Sequence, residues 1–72
     1  LLLHNYDQSG VVGTVGTILG DAGINISRMQ LAPLDSRGAA SMLVNINQDP
    51  GEKVLAALRD TKNMIAVQVL EL

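Results

Sequence analysis

A chain of 72 residues has room for one domain, and a domain of that size buries only about 60% of the surface its unfolded form exposes, so a lone core is marginal. With no cysteine and a single histidine, neither a disulfide nor a structural metal cage can supply the missing stability, which leaves self-association. A net charge of −2 without a basic run, and a single aromatic residue, argue against phosphate-backbone binding and base stacking alike.

The chain opens at Leu1 in an apolar run that reaches Tyr6 and stops at a turn cluster, Asp7-Gln8-Ser9-Gly10. A strand feeding a helix fits this pattern, with Leu1, Leu3 and Asn5 on one face and Leu2, His4 and Tyr6 on the other. No charged-then-apolar leader opens it and no run nears the roughly 20 apolar residues of a membrane span, so it reads as soluble and cytoplasmic. Residues 1–72 read as a single domain cut from a longer polypeptide.

From Ser9, a good N-cap, Val12, Val15, Leu19 and Ala22 recur at helical spacing, and Gly23 ends the helix. Gly13, Gly16 and Gly20 inside it each cost about 1 kcal/mol against alanine. Their spacing sets them along one side, where a missing Cβ lets a sheet, a partner helix or a ligand come close. Close helix packing accounts for Gly16 and Gly20 whatever the function.

Residues 24–32 form the next strand, in which Met29 and Leu31 fall out of phase with Ile24 and Ile26, as a bulge near Ser27-Arg28 would cause. Residues 33–38 make a hairpin loop. Residues 39–47 return, with Ala40, Met42, Val44 and Ile46 toward the core and Ser41, Asn45 and Asn47 outside. Asp49 caps a second helix, with Pro50 in its first position and Glu52 reaching back as in a capping box. Val54, Leu55 and Leu58 give that helix an apolar side, and residues 61–63 end it. Residues 64–72 are the last strand, with Ile65, Val67 and Val69 facing one way.

The order strand, helix, strand, strand, helix, strand predicts an α+β fold, a ferredoxin-like βαββαβ sandwich: an antiparallel four-stranded sheet with both helices on one face. The second strand then lies at an edge carrying one charge, Arg28, and no proline before Pro33. Such an edge invites another strand, and a homodimer through it and the glycine-rich helix is expected.

No catalytic pair can be assembled: a nucleophile needs a base in reach, and His4 sits in a strand where packing explains it. The Gly10-x-x-Gly13-x-x-Gly16 spacing is wrong for a dinucleotide fingerprint, and no cofactor or metal is expected. Met29, Met42 and Met64 read as core filler. Glu52, Lys53, Arg59, Asp60 and Lys62 read as a solvated helix face. Asn5, Asp7 and Asn25 are different. Taken singly each can cap a turn or a helix end, but together they are read as converging on one helix N-terminus. A zwitterionic amino acid suits that place, with the backbone N–H groups of Ser9, Gly10, Val11 and Val12 for its carboxylate and Asp7 with the amide oxygens for its ammonium.

The pattern Asn5-x-Asp7-x-x-Gly10-Val11-Val12-Gly13-x-Val15-Gly16-x-x-Leu19-x-x-x-Gly23-Ile24-Asn25-Ile26 resembles the ACT domain, a small regulatory module that binds amino acids, and the likeness covers nearly the whole chain. It is most similar to the C-terminal ACT domains of the bacterial D-3-phosphoglycerate dehydrogenase family, with ACT domains of serine dehydratase subunits the nearest competitor. The first resemblance implies a non-catalytic module of an NAD-dependent enzyme of serine biosynthesis. There L-serine binds between two ACT domains whose edge strands join into one sheet, and it inhibits a catalytic site elsewhere. By position it implies Asn5, Asp7 and, from the neighbouring subunit, Asn25 as ligand residues. Ser9 departs from the proline usual before Gly10, and the residue type at Asn5 varies within the family. A structural dimerisation domain without a ligand is the alternative from another class.

Overall fold

The computed structural model describes residues 1–6, 8–35 and 37–70. The elements run β1 (Leu2–Asn5), α1 (Gln8–Asp21), β2 (Ile26–Pro33), β3 (Ala40–Ile46), α2 (Gly51–Arg59) and β4 (Met64–Gln68), in the order read from the sequence. The four strands form one antiparallel-paired sheet ordered β2-β3-β1-β4. Every fully buried strand side chain lies on one face, Leu3, Met42 and Val44 among them, and Val11, Val15, Leu19, Leu55 and Leu58 of the two helices close over it. That is the ferredoxin-like sandwich. Among the described residues no helix is long and apolar enough to cross a membrane.

Helix α1 begins at Gln8, two residues ahead of the Gly10 that a cap at Ser9 implies, so Ser9 lies inside it and is not its cap. The apolar stripe runs through Val11, Val15 and Leu19, with Val12 and Ile18 half-buried beside it; Ala22 falls beyond the helix and is exposed. Gly23 ends the helix as expected. It takes a left-handed φ of 72° and donates to the Gly20 carbonyl, while Ile24 donates to Leu19 and buries its side chain beneath the last turn.

The bulge in β2 is where the phase change placed it: Ile26 stands opposite Ile46 and Arg28 opposite Asn45, leaving Ser27 as the extra residue. Met29 and Leu31 thereby return to the helix-covered face, opposite Val44 and Met42. A second bulge, in β4, was not foreseen. Ala66 stands opposite His4 and Met64 opposite Asn5, so Ile65 is the extra residue and is 52% exposed, out of phase with half-buried Val67. The last strand also stops at Gln68, and residues 71 and 72 of the expected strand lie outside the described residues.

At α2 the cap residue is Pro50, in helical conformation and with no side-chain cap, so Glu52 forms no capping box. Asp49 still serves the helix start, since its Oδ1 accepts the Gly51 N–H at 2.9 Å. In the hairpin, Asp35 accepts the N–H groups of Arg37 and Ala39, which fixes the return into β3.

Candidate functional site at the β1–α1 junction

Asn5 is the last residue of β1, held between Ala40 on one side and Met64 on the other. Strand alternation turns its side chain to the helix-covered face with Leu1 and Leu3, and it is 0% exposed. Its Nδ2 donates to the adjacent Tyr6 carbonyl at 3.4 Å, its one hydrogen bond among the described residues. Its Oδ1 has no hydrogen-bond partner among the described residues. A buried acceptor left unpaired costs on the order of 1–3 kcal/mol, so this amide is poorly explained by packing alone. The main chain there is pinned from the far side, because Tyr6 donates to the Asn63 carbonyl at 2.8 Å and Asn63 adopts a left-handed φ of 71°.

Asp7, the expected carboxylate, lies outside the described residues. Beyond it, Ser9 and Gly10 are exposed in the first turn of α1, which has no acidic residue among those described. A helix that starts at Gln8 uses the Val12 N–H for its own Gln8 carbonyl, so Val12 does not supply a free donor as expected. The donors left to meet an anion are those of the first turn, Ser9 and Gly10 among them. Val11 is 2% exposed and belongs to the core.

Asn25 is exposed and lies at the other end of the molecule. It precedes Ile26, which is level with Ile46, whereas Asn5 is level with Ala40, six residues back along β3. The expected convergence of Asn5 and Asn25 therefore does not occur within one chain. The reason is topological: β1 and β2 both run antiparallel to β3, so they are parallel to each other, and the start of the second lies far from the end of the first.

The glycines of α1 also differ from expectation. A Cβ at Gly13, Gly16 or Gly20 would meet nothing within 4 Å, so close packing inside the chain does not account for them. With Val15 toward the sheet, a turn of about 100° per residue sets Ser9, Gly13, Gly16 and Gly20 along one flank. The right-handed crossover from β1 to β2 turns that flank toward the β2 edge. On the outer side of α1 a shallow groove of about 520 Å³ runs past Ser9, Gly10, Gly13, Thr14, Thr17 and Ile18. Thr14 and Thr17 bond back to the Gly10 and Gly13 carbonyls at 3.1 and 3.0 Å, so their hydroxyl protons are committed to the helix.

A second cavity, of about 580 Å³, opens at the opposite end of the sheet beside Leu1, Ser27, Asn45, Asp49 and Pro50. None of the expected site residues that are described lines it, and its Asp49 is already bonded to Gly51.

The sequence model of the ACT domain matches residues 1–63. The chain is 31% identical over 70 residues to D-3-phosphoglycerate dehydrogenase of Bacillus subtilis, an alignment covering 97% of this chain and 13% of that protein. It is 32% identical over its full 72 residues to the enzyme of that name from Mycobacterium tuberculosis, covering 14% of it. The Methanocaldococcus jannaschii enzyme of the same name is 32% identical over 71 residues, which is 99% of this chain and 14% of that protein. The chain thus spans about a seventh of the length of these relatives.

Proposed function

This chain belongs to the ACT domain family, a family of regulatory modules, and on that premise we propose that it is the serine-sensing module of a phosphoglycerate dehydrogenase. The observation that carries the ligand reading is Asn5, a fully buried amide whose Oδ1 has no partner among the described residues, placed where β1 enters the N-terminus of α1. An amino-acid ammonium supplies the donor that this oxygen needs, with Asp7 beside it in sequence to balance the charge. The carboxylate takes the first-turn N–H groups of Ser9 and Gly10 at the positive end of α1. Val11 anchors that turn in the core, and Val12 packs against it.

A second copy completes the site. Antiparallel pairing of two β2 edges carries the start of one β2 to the end of the other, the end at which Asn5 lies. Asn25 of the partner then faces the ligand from across the interface. The glycine flank of α1 lies on the same side and gives a partner helix room to approach. Serine bridging two subunits favours the arrangement that makes both halves of the site, and this shift passes to the rest of a longer, NAD-dependent chain, in which serine acts as a feedback inhibitor.

The glycine flank also favours a second reading, a dimerisation domain without a ligand, because it asks only for a partner helix. A thermal melt against a panel of amino acids, run beside sedimentation, separates the two. L-serine should raise the melting temperature with concentration, by the equivalent of about 2.7 kcal/mol at a hundred times its dissociation constant. Asp7→Ala should lose that rise and remain dimeric. A flat panel from a protein that still sediments as a dimer establishes the second reading.

A further inference from the structure

The dimer proposed above leaves open how the two β2 strands meet, and the edge itself carries enough chemistry to decide. We infer that β2 pairs with β2 of a second copy about a two-fold axis at Gln30. The inference rests on the dimer reading and specifies its interface.

A two-fold axis normal to a sheet sets some residue of an antiparallel edge opposite its own copy. In β2 the regular, proline-free stretch is short. Ser27 is bulged out on one side, and Pro33, which has no N–H to give a ladder, closes the other. Five residues remain, Arg28 to Ala32, and Gln30 is their centre.

The side chains agree. Met29 and Leu31 lie on the helix-covered face opposite Val44 and Met42, and Leu31 is 41% exposed although it lies on that face. An axis at Gln30 sets Leu31 against the partner's Met29, and the reverse, so two apolar pairs extend the core across the junction. On the open face it sets Arg28 against Ala32 and one Gln30 amide against the other. An axis at Arg28 would oppose two like charges. An axis at Met29 would set Leu31 against the bulged Ser27, and one at Leu31 would draw Pro33 into the ladder opposite Met29.

The same register completes the ligand site. Leu31 is level with Leu3 through Met42, and Pro33 with Asn5 through Ala40. Counting back from Gln30 in the partner, past its bulge at Ser27, brings Asn25 level with Leu34, one step beyond Asn5 toward α1. Three strand spacings, about 14 Å between the axes of β1 and the partner's β2, separate the two strands.

The chain has no cysteine, so single cysteines report the axis directly. Arg28→Cys, Met29→Cys, Gln30→Cys, Leu31→Cys and Ala32→Cys are each oxidised with copper phenanthroline and read on a non-reducing gel, with sedimentation of the reduced protein beside them. Residues at the axis meet their copies at disulfide distance, whereas one position away the copies are about 8 Å apart and cannot bridge. The expected result is near-complete cross-linking at Gln30→Cys and at least tenfold slower cross-linking at the other four positions. Preferential cross-linking at any other position, or none at Gln30→Cys in a protein that sediments as a dimer, overturns the register. The serine melt is independent of it: a serine response with the wrong cross-link sinks the register alone, and the right cross-link without a serine response sinks the ligand reading alone.

Discussion

Asn5 and Asn25 stand at opposite ends of the sheet, Asn5 level with Ala40 and Asn25 just ahead of Ile26, which is level with Ile46. Six residues of strand separate those levels, about 20 Å, which is further than any single amino acid can bridge. If both contact one ligand, each site is made by two chains. Asn5→Ala and Asn25→Ala should therefore each abolish serine binding, yet a mixture of the two should regain it. Random pairing makes half of the dimers mixed, and each mixed dimer carries one intact site, so about a quarter of the sites should return. Isothermal titration of the mixture counts them. No recovery, from variants shown to exchange subunits, would mean that the two asparagines do not share a site.

The buried amide of Asn5 makes a prediction of opposite sign for stability. Replacing it with leucine removes an acceptor that is unpaired among the described residues from a 0% exposed position and keeps the side chain's approximate volume. Asn5→Leu should stabilise the ligand-free chain by about 1–2 kcal/mol, raising its melting temperature by roughly 4–8 °C per kcal/mol in a domain of this size. It should at the same time lose the response to serine. A functional residue kept at a cost to stability behaves in this way. A drop in the melting temperature instead would show that the oxygen is satisfied in the folded chain.

Most of the fold could be read from the residues because apolar phase and turn chemistry agree. The Ser27 bulge was visible since Met29 and Leu31 break the phase of Ile24 and Ile26. The Ile65 bulge was not, because Ile65, Val67 and Val69 keep a regular alternation that the start of β4 interrupts through pairing with β1, a tertiary effect. Val11 heads the α1 stripe in place of Val12 because it stands one i, i+4 step before Val15, as Val15 does before Leu19, while Val12 falls to the side. With valine at both positions, residue type alone decides neither. The separation of Asn5 from Asn25 was implicit in the strand order, since a right-handed strand–helix–strand crossover makes β1 and β2 parallel.

Gly23 offers a test confined to local backbone. Its φ of 72° is the left-handed turn that lets Ile24 donate to Leu19 and bury itself. A Cβ there meets no neighbour within 4 Å, so the effect of Gly23→Ala is conformational and not steric crowding. The expected loss is about 1–2 kcal/mol, and serine affinity should fall with it, because Gly23 sets the backbone two residues ahead of Asn25, which the proposed dimer brings to the neighbouring subunit's site. Chemical denaturation with and without serine separates the two quantities. Unchanged affinity beside the lost stability would take the C-terminal end of α1, and Asn25 with it, out of the site.

The glycine flank gives the last prediction, and its sign depends on whether a partner is present. Within one chain an alanine at Gly13, Gly16 or Gly20 touches nothing and raises helix propensity by about 1 kcal/mol. An isolated monomer should therefore be stabilised by Gly16→Ala. At the β2 side of α1, however, an added methyl group keeps a partner helix from approaching, because close helix contacts rely on the missing Cβ. The dimer should then weaken by about tenfold or more in dissociation constant, or about 1.4 kcal/mol. Sedimentation equilibrium measures the dissociation constant, and melts above and below it resolve the two states. Opposite shifts, a monomer that melts higher and a dimer that forms less readily, place the flank in the interface. A dimer that tightens along with the monomer would take the glycines out of it and leave the β2 edge as the sole contact.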